Sequence, residues 1–141
     1  AHEVRHGGRN MKTIPVFLLI ALLTSFHCST EPNKQPTQFI VKVDSLTRNS
    51  FASAGDTITL RLYGTIGNDG CHSFSHFEDI RQPLRLDLTV WGQRDASEVC
   101  PAVMVYLNGK EYKFLATSIG VFSFNVQQPD RSVLRDSLAI K

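Results

Sequence analysis

The stretch LRLDLTVW (residues 84–91) decides the fold class. Leu84, Leu86, Leu88 and Val90 alternate with Arg85, Asp87, Thr89 and Trp91, and a period of two marks a strand with one dry and one wet face. The same rhythm recurs outward along the chain. Phe39, Val41 and Val43 alternate with Ile40, Lys42 and Asp44; Ile58, Leu60 and Leu62 alternate with Thr59, Arg61 and Tyr63; Phe122, Phe124 and Val126 alternate with Ser123, Asn125 and Gln127. Weaker strands are expected near residues 71–77, 102–107, 111–116 and 132–140, and no stretch carries a helical period.

Turn chemistry separates these segments. Asn108-Gly109, between residues 103–107 and 112–114, tolerates the positive φ angles of a tight turn and predicts a hairpin. Ala54-Gly55-Asp56 opens the strand that follows it, and Pro129-Asp130 turns the chain into the last strand. Seven or eight short strands in residues 38–141 predict an all-β, antiparallel β-sandwich.

Two segments carry a family resemblance. AGDTITLRLYG (residues 54–64) and GVFSFNVQQPDRSVLRDSLAI (residues 120–140) resemble the immunoglobulin-like or fibronectin-III-like domains of bacterial surface lipoproteins, the second in the manner of their final hairpin. The resemblance implies an immunoglobulin-like sandwich. The chain departs from the pattern where Phe122 stands in place of a corner Tyr, and Trp91 precedes no cysteine in the usual order.

The N-terminal part reads as an address. Residues 1–10 (AHEVRHGGRN) carry no pattern and read as a non-native or upstream extension, with Met11 the expected start. Lys12 followed by the apolar residues 14–23 and then Thr24 and Ser25 matches a secretory signal peptide over residues 11–27, and a run of this length falls short of the ~20 residues that a spanning helix needs. LLTSFHCSTEP (residues 22–32) resembles the lipobox of bacterial lipoproteins, departing from it at Ser25 and His27. That resemblance implies acylation of Cys28 and a membrane anchor. Residues 28–37, polar and holding Pro32 and Pro36, read as a flexible spacer.

The cysteine count fits export. Of the three cysteines, acylation of Cys28 leaves Cys71 and Cys100 as an even pair, which an oxidising compartment would join. A bridge closing ~30 residues restricts the unfolded chain by about 3.5 kcal/mol. The alternative is two free thiols in a reducing compartment.

Charge and motifs narrow the function classes. From Cys28 onward the chain holds 12 basic and 12 acidic residues, so it lacks the basic surplus with which a nucleic-acid binder displaces counterions. The segment of residues 67–79 is densest in reactive types. On a regular strand His72, Phe74, His76 and Glu78 share a face, but the two imidazoles stand about 13 Å apart at ~3.3 Å per residue, too far to share a metal. No histidine follows Cys100, which excludes a blue-copper ligand set. No G-x-S-x-G elbow accompanies the serines, and Glu78-Asp79 beside Arg81 reads as a solvated loop. No catalytic, cofactor or metal site is expected. Trp91 and Tyr63 fall on the outer phase of their strands, where aromatic rings stack on sugars or anchor partners; the competing role for Trp91 is to cover the open end of the core. These features predict a non-enzymatic envelope lipoprotein with a structural or protein-interaction role. The rival is a carbohydrate- or small-ligand-binding module that uses the exposed aromatics.

Overall fold

The computed structural model describes residues 35–97 and 99–141. Cys28, the apolar segment and most of the spacer lie outside them. The described residues form ten strands and no helix: β1 (Thr37–Ile40), β2 (Ser45–Thr47), β3 (Thr57–Tyr63), β4 (Thr65–Gly67), β5 (His72–Gln82), β6 (Arg85–Arg94), β7 (Val105–Tyr106), β8 (Lys110–Leu115), β9 (Gly120–Gln127) and β10 (Val133–Ile140). The described residues are all-β, as their alternation predicts, with more strands than the seven or eight expected because short segments such as β2, β4 and β7 count separately.

The LRLDLTVW segment becomes β6, the hub of the largest sheet. β5 runs antiparallel along the whole of one edge of β6. The other edge is shared. β1 takes its C-terminal half, Thr37 opposite Arg94 and Ile40 opposite Trp91, and β9 takes its N-terminal half, Arg85 opposite Ser123 and Leu88 opposite Val126. The β6–β9 pair is parallel, which corrects the expectation of purely antiparallel pairing, and β10 completes this five-stranded sheet beyond β9. Leu84 lies in the β5–β6 turn, outside the strand and exposed, so the dry face begins at Leu86.

A second ladder joins β2, β3 and β8, and β4 pairs with β7. Asn108 and Gly109 do take positive φ values of 46° and 77°, yet they make no hairpin. β8 pairs with β3 and β7 with β4, so β7 and β8 follow β3 and β4 as one interrupted ladder, held at the join by Leu107 N–H to Gly64 O (2.9 Å) and Gly109 N–H to Leu62 O (3.1 Å). The two left-handed residues absorb a one-residue bulge. Asn-Gly reports the local backbone, which a turn and a bulge share, and pairing partners are fixed elsewhere. The Pro129-Asp130 turn forms as expected: Arg131 N–H donates to Gln128 O, Arg131 takes the left-handed φ of 68°, and β9 and β10 pair from Gln127–Val133 onward.

Ile58, Leu60 and Leu62 of β3, Tyr112 and Phe114 of β8, Leu86, Leu88 and Val90 of β6 and Phe122, Phe124 and Val126 of β9 form one buried cluster. Phe114 lies 5.1 Å from Phe122 and 6.0 Å from Phe124, centroid to centroid, so the inner faces of the two larger sheets meet through rings. Each such side chain contributes about 1.5–3 kcal/mol by leaving water.

Where β1 and β9 meet beside β6, the ladder needs a substitute. Val41 N–H still donates to Val90 O. Two residues on, Val43 N–H donates instead to the side-chain Oε1 of Gln128 at 3.1 Å. Gln128 is buried, and its Nε2 donates to Val126 O at 3.4 Å. An amide side chain here completes a backbone ladder.

Candidate functional site

The reactive segment of residues 67–79 forms a stapled corner and one end of β5. Cys71 and Cys100 are joined, with sulfurs 2.03 Å and Cα atoms 5.3 Å apart. Asp69 organises the corner: its Oδ1 accepts from Cys71 N–H at 3.0 Å and lies 2.8 Å from His72 Nδ1. Arg94 Nη2 sits 3.7 Å from its Oδ2. Desolvation pushes the Asp69 carboxyl up, but donation from Cys71 and His72 and the charges of His72 and Arg94 outweigh it and hold the group below its ordinary range. Gly67 is required by close approach, since a Cβ there would stand 2.1 Å from the His72 ring.

Asp69, Cys71 and Cys100 bring three ligand-type atoms within 4.8 Å of one another. With both sulfurs committed to each other, Asp69 alone offers a free ligand atom.

The two histidines part company at a bulge. The β5–β6 register slips between Phe74 and His76, so Phe74 pairs with Gly92 on the inner side and His76 with Trp91 on the outer side. His72, Phe74, His76 and Glu78 therefore do not share one face, as an unbroken strand would require. His72 meets Phe39 edge-on at 5.6 Å, whereas His76 stacks on Trp91 at 6.1 Å. Ser75 Oγ lies 2.9 Å from His76 Nδ1. An acid to orient that imidazole is lacking at Glu78, whose Oε2 accepts from Trp91 Nε1 at 2.8 Å.

Glu78, Asp79 and Arg81 lie within β5, not in the loop expected of them. Arg81 closes the seam between β5 and β8, donating to Tyr112 Oη from Nε (3.1 Å) and Nη2 (2.7 Å) while its guanidinium covers the Tyr112 and Phe114 rings. Burial is the main cause that raises the Tyr112 hydroxyl above its ordinary value. Nothing in the local pattern signals this pairing, whose partners lie 31 residues apart.

The two aromatic candidates stand on different sheets. Trp91 is on the outer phase of β6 as expected, but half-buried, with its N–H given to Glu78 and one face to His76. Tyr63 ends β3 and lines a cleft of about 240 Å³ with Asp44, Gly64, Thr65, Tyr106 and Asn108. Sequence reasoning missed Tyr106, which reaches the cleft only because β7 pairs with β4. A second cleft, of about 340 Å³, lies on the outer face of the five-stranded sheet among Glu78, Ile80, Asp87, Asn125 and Arg135. Its floor is already satisfied: Asp87 Oδ1 accepts from Arg85 Nε at 2.9 Å and Asn125 Nδ2 at 2.8 Å.

No family model, no curated protein and no solved structure matches the chain.

Proposed function

We propose that this chain is an exported, non-enzymatic β-sandwich module of the immunoglobulin-like kind, anchored to the bacterial envelope by a lipid on Cys28 and working through protein contacts. The Cys71–Cys100 bond carries the reading. Disulfides persist in oxidising compartments, and with these two sulfurs joined Cys28 is the odd cysteine of the three, the one that the lipobox-like segment singles out. The meeting of Phe114 with Phe122 and Phe124 supports a sandwich. The commitment of Glu78 to Trp91 Nε1, rather than to the His76 ring, supports a role without catalysis.

Mass spectrometry of natively produced material tests this reading. The expected product begins at an acylated Cys28, sits in the membrane fraction and shows no thiol reactive toward maleimide until reduced. A chain that retains residues 11–27 and has reactive thiols at positions 71 and 100 would refute it.

One observation favours the second reading, a carbohydrate-binding module. Tyr63 and Tyr106 line one cleft with the carboxylate of Asp44 and the amide of Asn108, and rings beside polar groups suit the apolar face and hydroxyls of a sugar. Titration with oligosaccharides, followed through the tyrosine ring resonances, should shift Tyr63 and Tyr106 in the wild type, with binding lost in Tyr63→Ala. Unmoved tyrosine signals across neutral and acidic glycans would dismiss this reading.

A further inference from the structure

The loop that follows β6 exposes apolar side chains that the core does not take. Val99 is 84% exposed, Val103 52% and Met104 46%, and Pro101 and Ala102 between them are exposed too. Apolar residues scattered singly are ordinary on a surface; here exposed apolar side chains follow one another along a single loop. The base of this loop is fixed. Cys100 is bonded to Cys71, Gly70 N–H donates to Pro101 O at 2.8 Å, Asp95 N–H to Cys71 O at 2.9 Å and Val103 N–H to Pro101 O at 2.9 Å.

The position of the loop points to its partner. Thr37, where the chain enters β1, pairs with Arg94, and Arg94 pairs across its other edge with His72, beside Cys71. Arg94 Nη2 also lies 3.7 Å from Cys100 Sγ, so Thr37 enters the sheet at the end that carries the loop. The spacer from Cys28 to Thr37 spans at most about 30 Å even when fully extended. Resting on the reading of Cys28 as a lipid anchor, we propose that residues 99–104 dock on the bilayer, with Val99, Val103 and Met104 seated at the boundary between headgroups and acyl chains. The nearby charges favour a zwitterionic surface over an anionic one: Arg94 is engaged with Asp69, and Asp95 adds a second acid. The opposite end of the sheet, where Ile119 is 71% exposed and Gly120 abuts Leu84, stays clear of lipid.

The test uses the natively produced chain reconstituted into phosphatidylcholine vesicles with brominated acyl chains. Trp91→Phe removes the native indole, and a single Trp is placed at either Val103 or Ile119, both exposed enough to accept one; far-UV circular dichroism checks that each variant folds. Insertion ~5–10 Å deep should cut emission about two-fold for Val103→Trp and leave Ile119→Trp unchanged. Mass spectrometry of the same preparation reads the state of Cys28 separately. An acylated Cys28 with both indoles unquenched, or equally quenched, overturns the docking and leaves the anchor standing. An unmodified Cys28 overturns the anchor and the docking with it.

Discussion

Replacing Gln128 with Met is the most exacting test of the packing. Met matches the length and shape of Gln and fills the same buried space, but it has no strong acceptor. Val43 N–H, which donates to Gln128 Oε1 at 3.1 Å, would then be enclosed without a partner, since Val43 is itself only 3% exposed. An orphaned buried donor costs about 1–3 kcal/mol. The second bond of the side chain, from Nε2 to Val126 O at 3.4 Å, is long and adds little. With a urea m-value of about 1.5 kcal/mol/M for a domain of this size, a loss of ~2 kcal/mol lowers the unfolding midpoint by roughly 1.3 M at unchanged m. Trp91 fluorescence follows the transition. Amide exchange locates the defect, because exchange at Val43 should quicken more than at Leu88, whose ladder is intact. A Gln128→Met midpoint within ~0.2 M of the wild type would refute the claim that this side chain completes the ladder.

Three further outcomes follow from the same structure. Phe124→Ala should lose about 3–5 kcal/mol through the cavity left among Phe114 and Phe122, while Phe51→Ala, at a residue 83% exposed, should lose no more than ~0.5 kcal/mol; equal melting temperatures would contradict the core assignment. The double change Cys71→Ala/Cys100→Ala should cost about 3.5 kcal/mol by freeing a loop of roughly 30 residues in the unfolded chain, and a loss below ~1 kcal/mol in denaturant titration would show that the bond constrains little. Desolvation raises the Asp87 carboxyl, but hydrogen bonds from Asn125 and Arg85 and the charge of Arg85 hold it below its ordinary value. A depressed folded value stabilises above the unfolded pKa of about 4 and is lost as pH falls through the folded value. Thermal melts between pH ~5 and ~2 should therefore fall less steeply in Asp87→Asn than in the wild type, and identical slopes would refute this.

Strand identity was legible in three of the four clearest alternating segments; in the fourth, β1 ends at Ile40, short of the buried Val41 and Val43. Ile58-Leu60-Leu62, Leu86-Leu88-Val90 and Phe122-Phe124-Val126 are buried in the phase their alternation predicts, because a period of two is a local property. Pairing was not legible. Asn108-Gly109 encodes left-handed backbone whether it joins paired strands or bulges within a ladder, and the parallel β6–β9 pair depends on residues 38 apart, such as Arg85 and Ser123. The slip between Phe74 and His76 is invisible for the same reason: His72 and His76 look equivalent along the chain until β6 assigns them to opposite faces. Of the candidate aromatics, Tyr63 was legible as an outward ring. Its partner Tyr106 was not, because the register that brings them together is set by β4.

The shared edge of β6 has a mechanical consequence. Force applied through the residues before Thr37 enters the fold along β1, whose four ladder positions run from Arg94 back to Trp91. Behind them stand the Val41–Val90 bond and the Gln128 side chain at Val43. A pull on the leading segment is therefore met first by this short seam, and the hub strand keeps β5 along its far edge if the seam gives way.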